Sequence, residues 1–174
     1  PKMIKHFGLG AAPDDWHALG DHLIEKGFKR SELIAANLMR VSEKNGKKYY
    51  YDAFRAKVMY PVIDLRGNVV AFGGRVLDNS KPKYINTSDT LVYKKSNELF
   101  ALNFAKNGND RKIILCEGYM DVIAINQAGF ENVVAPLGTA LTSEQVNLIS
   151  RYTKEIVLML DADTAGQKAI KRAS

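Results

Sequence analysis

With 174 residues, 46% of them apolar and 25% charged, the chain has the make-up of a soluble globular protein of one domain or two small lobes. No apolar run reaches the roughly 20 residues a membrane helix needs, and a single cysteine, Cys116, excludes an intrachain disulfide or a cysteine-rich zinc site within this chain. A net charge of +6, from 25 Lys and Arg against 19 Asp and Glu, points to a polyanionic partner only where the cations cluster.

The chain opens on Pro1-Lys2-Met3 with neither a start methionine nor a leader, and 171–174 stop inside a helical pattern, so it reads as a piece of a longer protein. Residues 13–29 predict a helix: Asp14 and Asp15 open it, Trp16, Leu19 and Leu23 repeat at helical spacing, and Gly27 closes it. Ser31 can cap a second helix running to Met39. A charged turn over 43–48, containing Asn45-Gly46, leads to the aromatic run Tyr49-Tyr50-Tyr51, expected to lie half in and half out of a strand. Strand-like runs 58–64 and 69–72 flank turn residues and predict a hairpin, with Pro61 marking an edge or bulged strand. Gly73-Gly74 allows a bulge or a close backbone approach. After a polar stretch over 78–95, a helix is expected over 96–106, and the lobe boundary falls at 108–110.

Beyond that boundary the pattern alternates: strand 112–116, helix 119–128, strand 132–135, a helix to about 150 with a Thr142–Gln145 capping box, strand 155–160, helix 164–173. Such alternation predicts a parallel sheet flanked by helices. The expected fold is therefore α/β: an α+β lobe over 1–108, then a parallel-sheet lobe over 109–174. Cys116, inside an apolar run, reads as a buried inert thiol, and His6, His17 and His22 show no ligand spacing.

In open α/β sheets ligands gather at the carboxyl ends of the strands. Here the strand 113–116 runs into Glu117, and the strand 156–160 runs into Asp161 with Asp163 two residues on. Asp121 falls in the first turn of the helix after Glu117 and can face the same crevice. Carboxylates crowded in one volume repel unless a divalent cation sits among them, and an all-oxygen set favours Mg²⁺ or Mn²⁺ over zinc. Mg²⁺ held by few carboxylates takes phosphate oxygens, which suits nucleotidyl or phosphoryl transfer. A lone acid at a strand end more often only caps the next helix; two acidic strand ends together favour the metal site.

The strings 115–122 (Leu-Cys-Glu-Gly-Tyr-Met-Asp-Val) and 160–166 (Leu-Asp-Ala-Asp-Thr-Ala-Gly) resemble the paired motifs of the TOPRIM fold, shared by bacterial primases, type IA and type II topoisomerases and some nucleases. The resemblance implies a catalytic Glu117, a metal-holding pair Asp161 and Asp163, and Asp121 in support. Residues 135–140 (Ala-Pro-Leu-Gly-Thr-Ala) look like the fold's middle loop, where Gly138 lets backbone approach phosphate.

Upstream, 55–62 (Arg-Ala-Lys-Val-Met-Tyr-Pro-Val), 72–77 (Phe-Gly-Gly-Arg-Val-Leu), 81–87 (Lys-Pro-Lys-Tyr-Ile-Asn-Thr) and 7–13 (Phe-Gly-Leu-Gly-Ala-Ala-Pro) resemble the N-terminal lobe of the bacterial DnaG-type primase core, so the resemblance covers nearly the whole chain. The chemistry of the residues agrees. Arg75, Lys81, Lys83, Lys94 and Lys95, against Asp78 and Asp89 and with Tyr84 and Tyr93 interleaved, suit a single-stranded backbone with rings for stacking. By resemblance Arg75, Lys83 and Lys95 take the positions the family uses for template or nucleotide phosphate.

The family implies synthesis of short RNA primers from NTPs on a single-stranded DNA template, at the replication fork in the bacterial cytoplasm. Its further metal-binding acids, its N-terminal zinc-binding domain and the regions that meet the replicative helicase and single-strand-binding protein are expected outside this sequence. A TOPRIM nuclease or topoisomerase fragment, and a non-catalytic single-strand-binding module, remain the alternatives; metal dependence separates the last from an enzyme.

Overall fold

The computed structural model describes residues 2–108, 112–138 and 140–160. Helix α1 (Lys2–Phe7) leads into strand β1 (Gly10–Ala12), and helices α2 (Ala18–Glu25) and α3 (Arg30–Ala35) follow. Helix α2 is shorter than its apolar spacing predicts. Asp15 Oδ1 accepts the backbone N–H groups of His17 and Ala18 at 2.7 and 2.8 Å, turning the chain before the helix begins. The helix is capped from a distance: the carboxylate of Asp52, only 2% exposed, accepts Leu19 N–H at 2.7 Å and Gly20 N–H at 2.9 Å. Replacing Asp52 by Ala orphans both donors, so an urea melt is expected to show a loss of about 1–3 kcal/mol.

Helix α3 stops short of Met39, because Asn37 takes a positive φ of 57° and Met39 opens a strand. Strands β2 (Met39–Lys44) and β3 (Lys47–Asp52) form a hairpin whose two loop residues, Asn45 and Gly46, have φ of 54° and 71°, as a type I′ turn requires. The charged turn is therefore the tip of a hairpin, and the tyrosine run lies in β3.

Strands β4 (Lys57–Ile63), β5 (Val69–Val76) and β6 (Tyr84–Asn86) join β1 in an antiparallel sheet of order β1-β4-β5-β6. Pro61 thus lies in an internal strand. It is tolerated because β1 pairs only with Lys57–Met59, so the missing N–H of Pro61 faces a stretch with no partner strand, and the bulge falls just beyond, at Val62/Ile63.

The helix expected over 96–106 is broken. A single 3₁₀ turn (Lys95–Asn97) precedes Phe100, which exchanges backbone hydrogen bonds with Ala135; Ala101 then takes a φ of 68° before a short helix α4 (Leu102–Ala105). Burial of Leu99 and Phe100 on both sides of that bridge overrides helical spacing.

Strands β7 (Lys112–Leu115), β8 (Val133–Val134) and β9 (Glu155–Leu158) form a parallel sheet of order β8-β7-β9. Helices α5 (Tyr119–Gln127) and α6 (Ser143–Ile149) connect them, and Thr142 accepts Gln145 N–H to cap α6 as its sequence predicts. The helix expected over 164–173 and most of the boundary at 108–110 lie outside the described residues. One apolar cluster unites both sheets, running from Phe7, Tyr60 and Ala71 through Phe100 to Tyr119, Val122 and Val133. No described helix is long and apolar enough to cross a membrane.

Candidate metal and nucleic-acid site

The strand order puts β7 in the centre of the parallel sheet, so Glu117 leaves its middle rather than an edge. Leu115 pairs with Leu158 on β9, and Met159 N–H donates to Leu115 O at 2.8 Å. The chain leading to Asp161 therefore emerges beside Glu117. Asp161 and Asp163 themselves lie outside the described residues.

Glu117 and Asp121 are both exposed and line one cleft of about 230 Å³ with Cys116, Ala124, Ile125, Met159 and Leu160. Asp121 Oδ2 accepts Gly118 N–H at 3.0 Å, so this acid also caps α5. Among the described residues no three His, Cys, Asp or Glu side chains gather, and the pair present offers only hard oxygen donors. That donor set fits Mg²⁺ or Mn²⁺ and not a soft-ligand metal. Cys116, 1% exposed, donates to Val134 O at 3.4 Å; burial, with Asp121 adding to it, pushes its thiol up to about 12, so it is neither ligand nor nucleophile at neutral pH.

Tyr119, at the first position of α5, is buried where the two sheets meet. Its ring stacks on Tyr60 at 4.9 Å and meets Phe100 edge-on at 4.7 Å. Gly73 on β5 explains itself here: a Cβ at that position would come within 2.5 Å of the Tyr119 ring, which is the close approach that Gly73-Gly74 implied. Gly138 has a φ of 74° and its nearest neighbour is Asn86 Nδ2, 2.8 Å from where a Cβ would stand.

Arg75, Lys81 and Lys83 lie on the β5–β6 side of the antiparallel sheet, and Lys94 and Lys95 at the 3₁₀ turn beside α6. Arg75 on β5 sits opposite Tyr84 on β6, its guanidinium carbon 5.7 Å from that ring, and its Nε is buried without a hydrogen-bond partner in the structure. Lys81 and Lys83 are exposed just before β6. Lys94 is exposed; Lys95 is half-buried, its N–H donating to Asp89 and its carbonyl accepting from Gln145 Nε2. Tyr84 is 37% exposed, and its ring lies 6.3 Å from Tyr119. Tyr93 is only 2% exposed, so the expectation of a second stacking ring there is corrected: it is a core residue.

Residues 1–106 match the family model of the DNA primase catalytic core, N-terminal domain, and residues 111–174 match that of the Toprim domain. The chain belongs to the DNA primase catalytic core family. A DNA primase from Clostridium acetobutylicum is 51% identical over 172 residues, 98% of this chain and 28% of that protein. The Aquifex aeolicus primase, solved with its zinc-binding and RNA polymerase domains, superposes with a TM-score of 0.89 at 41% identity over 99% of this chain and 42% of that one. A DnaG primase catalytic domain bound to single-stranded DNA gives a TM-score of 0.88 at 36% identity, covering 99% of this chain and 53% of that one. The chain thus spans little more than a quarter of the Clostridium protein and about half of the solved catalytic domain.

Within this primase core, sequence reasoning missed two residues that join the site. Tyr119 and Asn86 lie inside the strings 115–122 and 81–87, but neither carries charge, so neither stood out as functional. Tyr119 is visible only as a large aromatic two residues after a strand-ending acid, and Asn86 only as a polar residue closing a short β run.

Proposed function

We propose that the chain is most of the catalytic core of a replicative primase, which makes short RNA primers on single-stranded DNA by nucleotidyl transfer from NTPs. The observation that supports this most is Glu117 leaving the central parallel strand, next in register to the strand that runs into Asp161. We assign residues 1–108 to a template- and nucleotide-binding lobe and 109–174 to the acidic lobe. Glu117, Asp161 and Asp163, with Asp121 in support, would hold Mg²⁺ or Mn²⁺, which when bound neutralises charge on the triphosphate.

The 3′-hydroxyl of one nucleotide attacks the α-phosphorus of the next; the new O–P bond forms as the bond to pyrophosphate breaks. Glu117, which lines the cleft, would ligate metal or take the hydroxyl proton. Arg75, Lys83 and Lys95, with Lys81 and Lys94 beside them, hold template or incoming phosphate, and Tyr84 offers a ring to a base. Gly138 keeps the middle loop low enough for phosphate to approach. The solved relative bound to single-stranded DNA supports the template assignment. In the intact protein the partners are the replicative helicase and the single-strand-binding protein at the replication fork in the cytoplasm, and zinc belongs to a separate domain, as in the Aquifex aeolicus protein.

Two experiments follow. Calorimetry of ATP with this chain should show binding in Mn²⁺ that EDTA and Asp161→Asn each abolish; binding indifferent to both would leave only a strand-holding module. For the cations, labelled oligonucleotide binding across a salt series should show Arg75→Ala and Lys83→Ala each flattening the slope of log affinity on log salt by about 0.7. Unaltered slopes would remove these residues from the phosphate path.

A further inference from the structure

We infer that Asn86 is a positioning residue for nucleotidyl transfer, holding the β5–β6 side of the antiparallel sheet in register with the start of α5 and the loop after β8. Asn86 closes β6 and pairs with Gly73 on β5. Its Nδ2 donates to Leu137 O at 3.0 Å, in the loop after β8, and its Oδ1 accepts the hydroxyl of Tyr119 at 2.8 Å, at the first position of α5. A carbonyl can only accept and an amide nitrogen only donate, so the side chain has one permitted orientation.

The backbone around this side chain is cut to fit it. Gly138 leaves room for Asn86 Nδ2, and Gly73, its strand partner, leaves room for the Tyr119 ring. The groups that Asn86 joins are those that must be aligned for reaction. Tyr119 is two residues from Glu117; Leu137 adjoins Gly138; and Asn86 shares β6 with Tyr84, over which Arg75 lies, and follows Lys83 by three residues. On the reading above, the acid stands at the end of β7, whereas the cations assigned to template phosphate include Arg75 on β5 and Lys83 just before β6. One amide therefore spans the two halves of the site. A misplacement of about 1 Å between reacting groups costs on the order of a hundredfold in rate, so loosening this joint acts on the chemical step before it acts on binding.

The inference rests on the reading of Glu117 given above, and the test separates the two. In the intact protein, Asn86→Asp keeps size and the Tyr119 acceptor but sets a carboxylate oxygen against Leu137 O; Tyr119→Phe removes only the other bond. Both are expected to lower kcat for nucleotide incorporation by at least about tenfold, with KM for NTP and affinity for single-stranded DNA nearly unchanged and a cooperative melt whose midpoint falls only modestly. The double variant Asn86→Ala/Tyr119→Phe should lose no more kcat than Asn86→Ala alone, because both break one joint. Full kcat in folded Asn86→Asp and Tyr119→Phe, or losses that multiply in the double variant, would overturn the positioning role. Glu117→Gln is measured alongside. If it retains synthesis, the reading of the acidic site itself fails; if it is inactive while the Asn86 variants are fully active, only the positioning role fails.

Discussion

Primer synthesis by the intact protein is expected to fall by about 10²–10⁴-fold on Glu117→Gln, with no measurable change in folding. The substitution is nearly isosteric and removes one negative charge from the cleft that Glu117 lines with Asp121. Whether the carboxylate ligates metal or receives the hydroxyl proton, the amide does neither. Glu117 is exposed, so stability should move by less than about 0.5 kcal/mol. A primer-extension assay on a single-stranded template, paired with a thermal melt, checks both halves. Substantial synthesis by the Gln variant would move catalysis away from this strand end, and loss of activity together with folding would show Glu117 to be structural.

Tyr119→Ala carries the other large effect, on stability: a loss of about 3–5 kcal/mol in urea unfolding. Its ring is in contact with Tyr60, Phe100 and the flat surface over Gly73, and its hydroxyl engages Asn86, so truncation leaves a cavity where the two sheets meet and an acceptor without its donor. Gly73→Ala attacks the same contact from the opposite side, placing a methyl 2.5 Å from the ring, and is expected to cost about 1–3 kcal/mol. The two are not independent. In the Tyr119→Ala background the added methyl enters the vacated space and should cost much less. Additive losses would mean that Gly73 is needed for a reason other than this ring.

Much of the acidic lobe was legible from local pattern. Each of β7, α5, α6 and β9 lies where alternation of apolar runs predicted it, and the Thr142–Gln145 box begins α6 because its two hydrogen bonds are made within one turn of chain. The N-terminal lobe was less legible. Helix α2 is cut short by Asp15 and capped by Asp52, more than 30 residues away, and no local spacing encodes such a partner. Residues 96–106 lost their predicted helix to a bridge between Phe100 and Ala135.

The sequence by itself determined the acids at strand ends, the cluster of cations between Arg75 and Lys95, the α/β alternation and the motifs that mark the family. These are carried by residue identity and by periodicities of a few residues. Tertiary structure alone decided that β7 is the central strand, that Pro61 is tolerated inside a sheet beside a short β1, that Tyr93 is core while Tyr84 is surface, and that Asn86 reaches both loops of the site. Strand order, burial and long-range hydrogen bonds depend on which distant segments exclude water from one another, and a local window of sequence does not contain that competition.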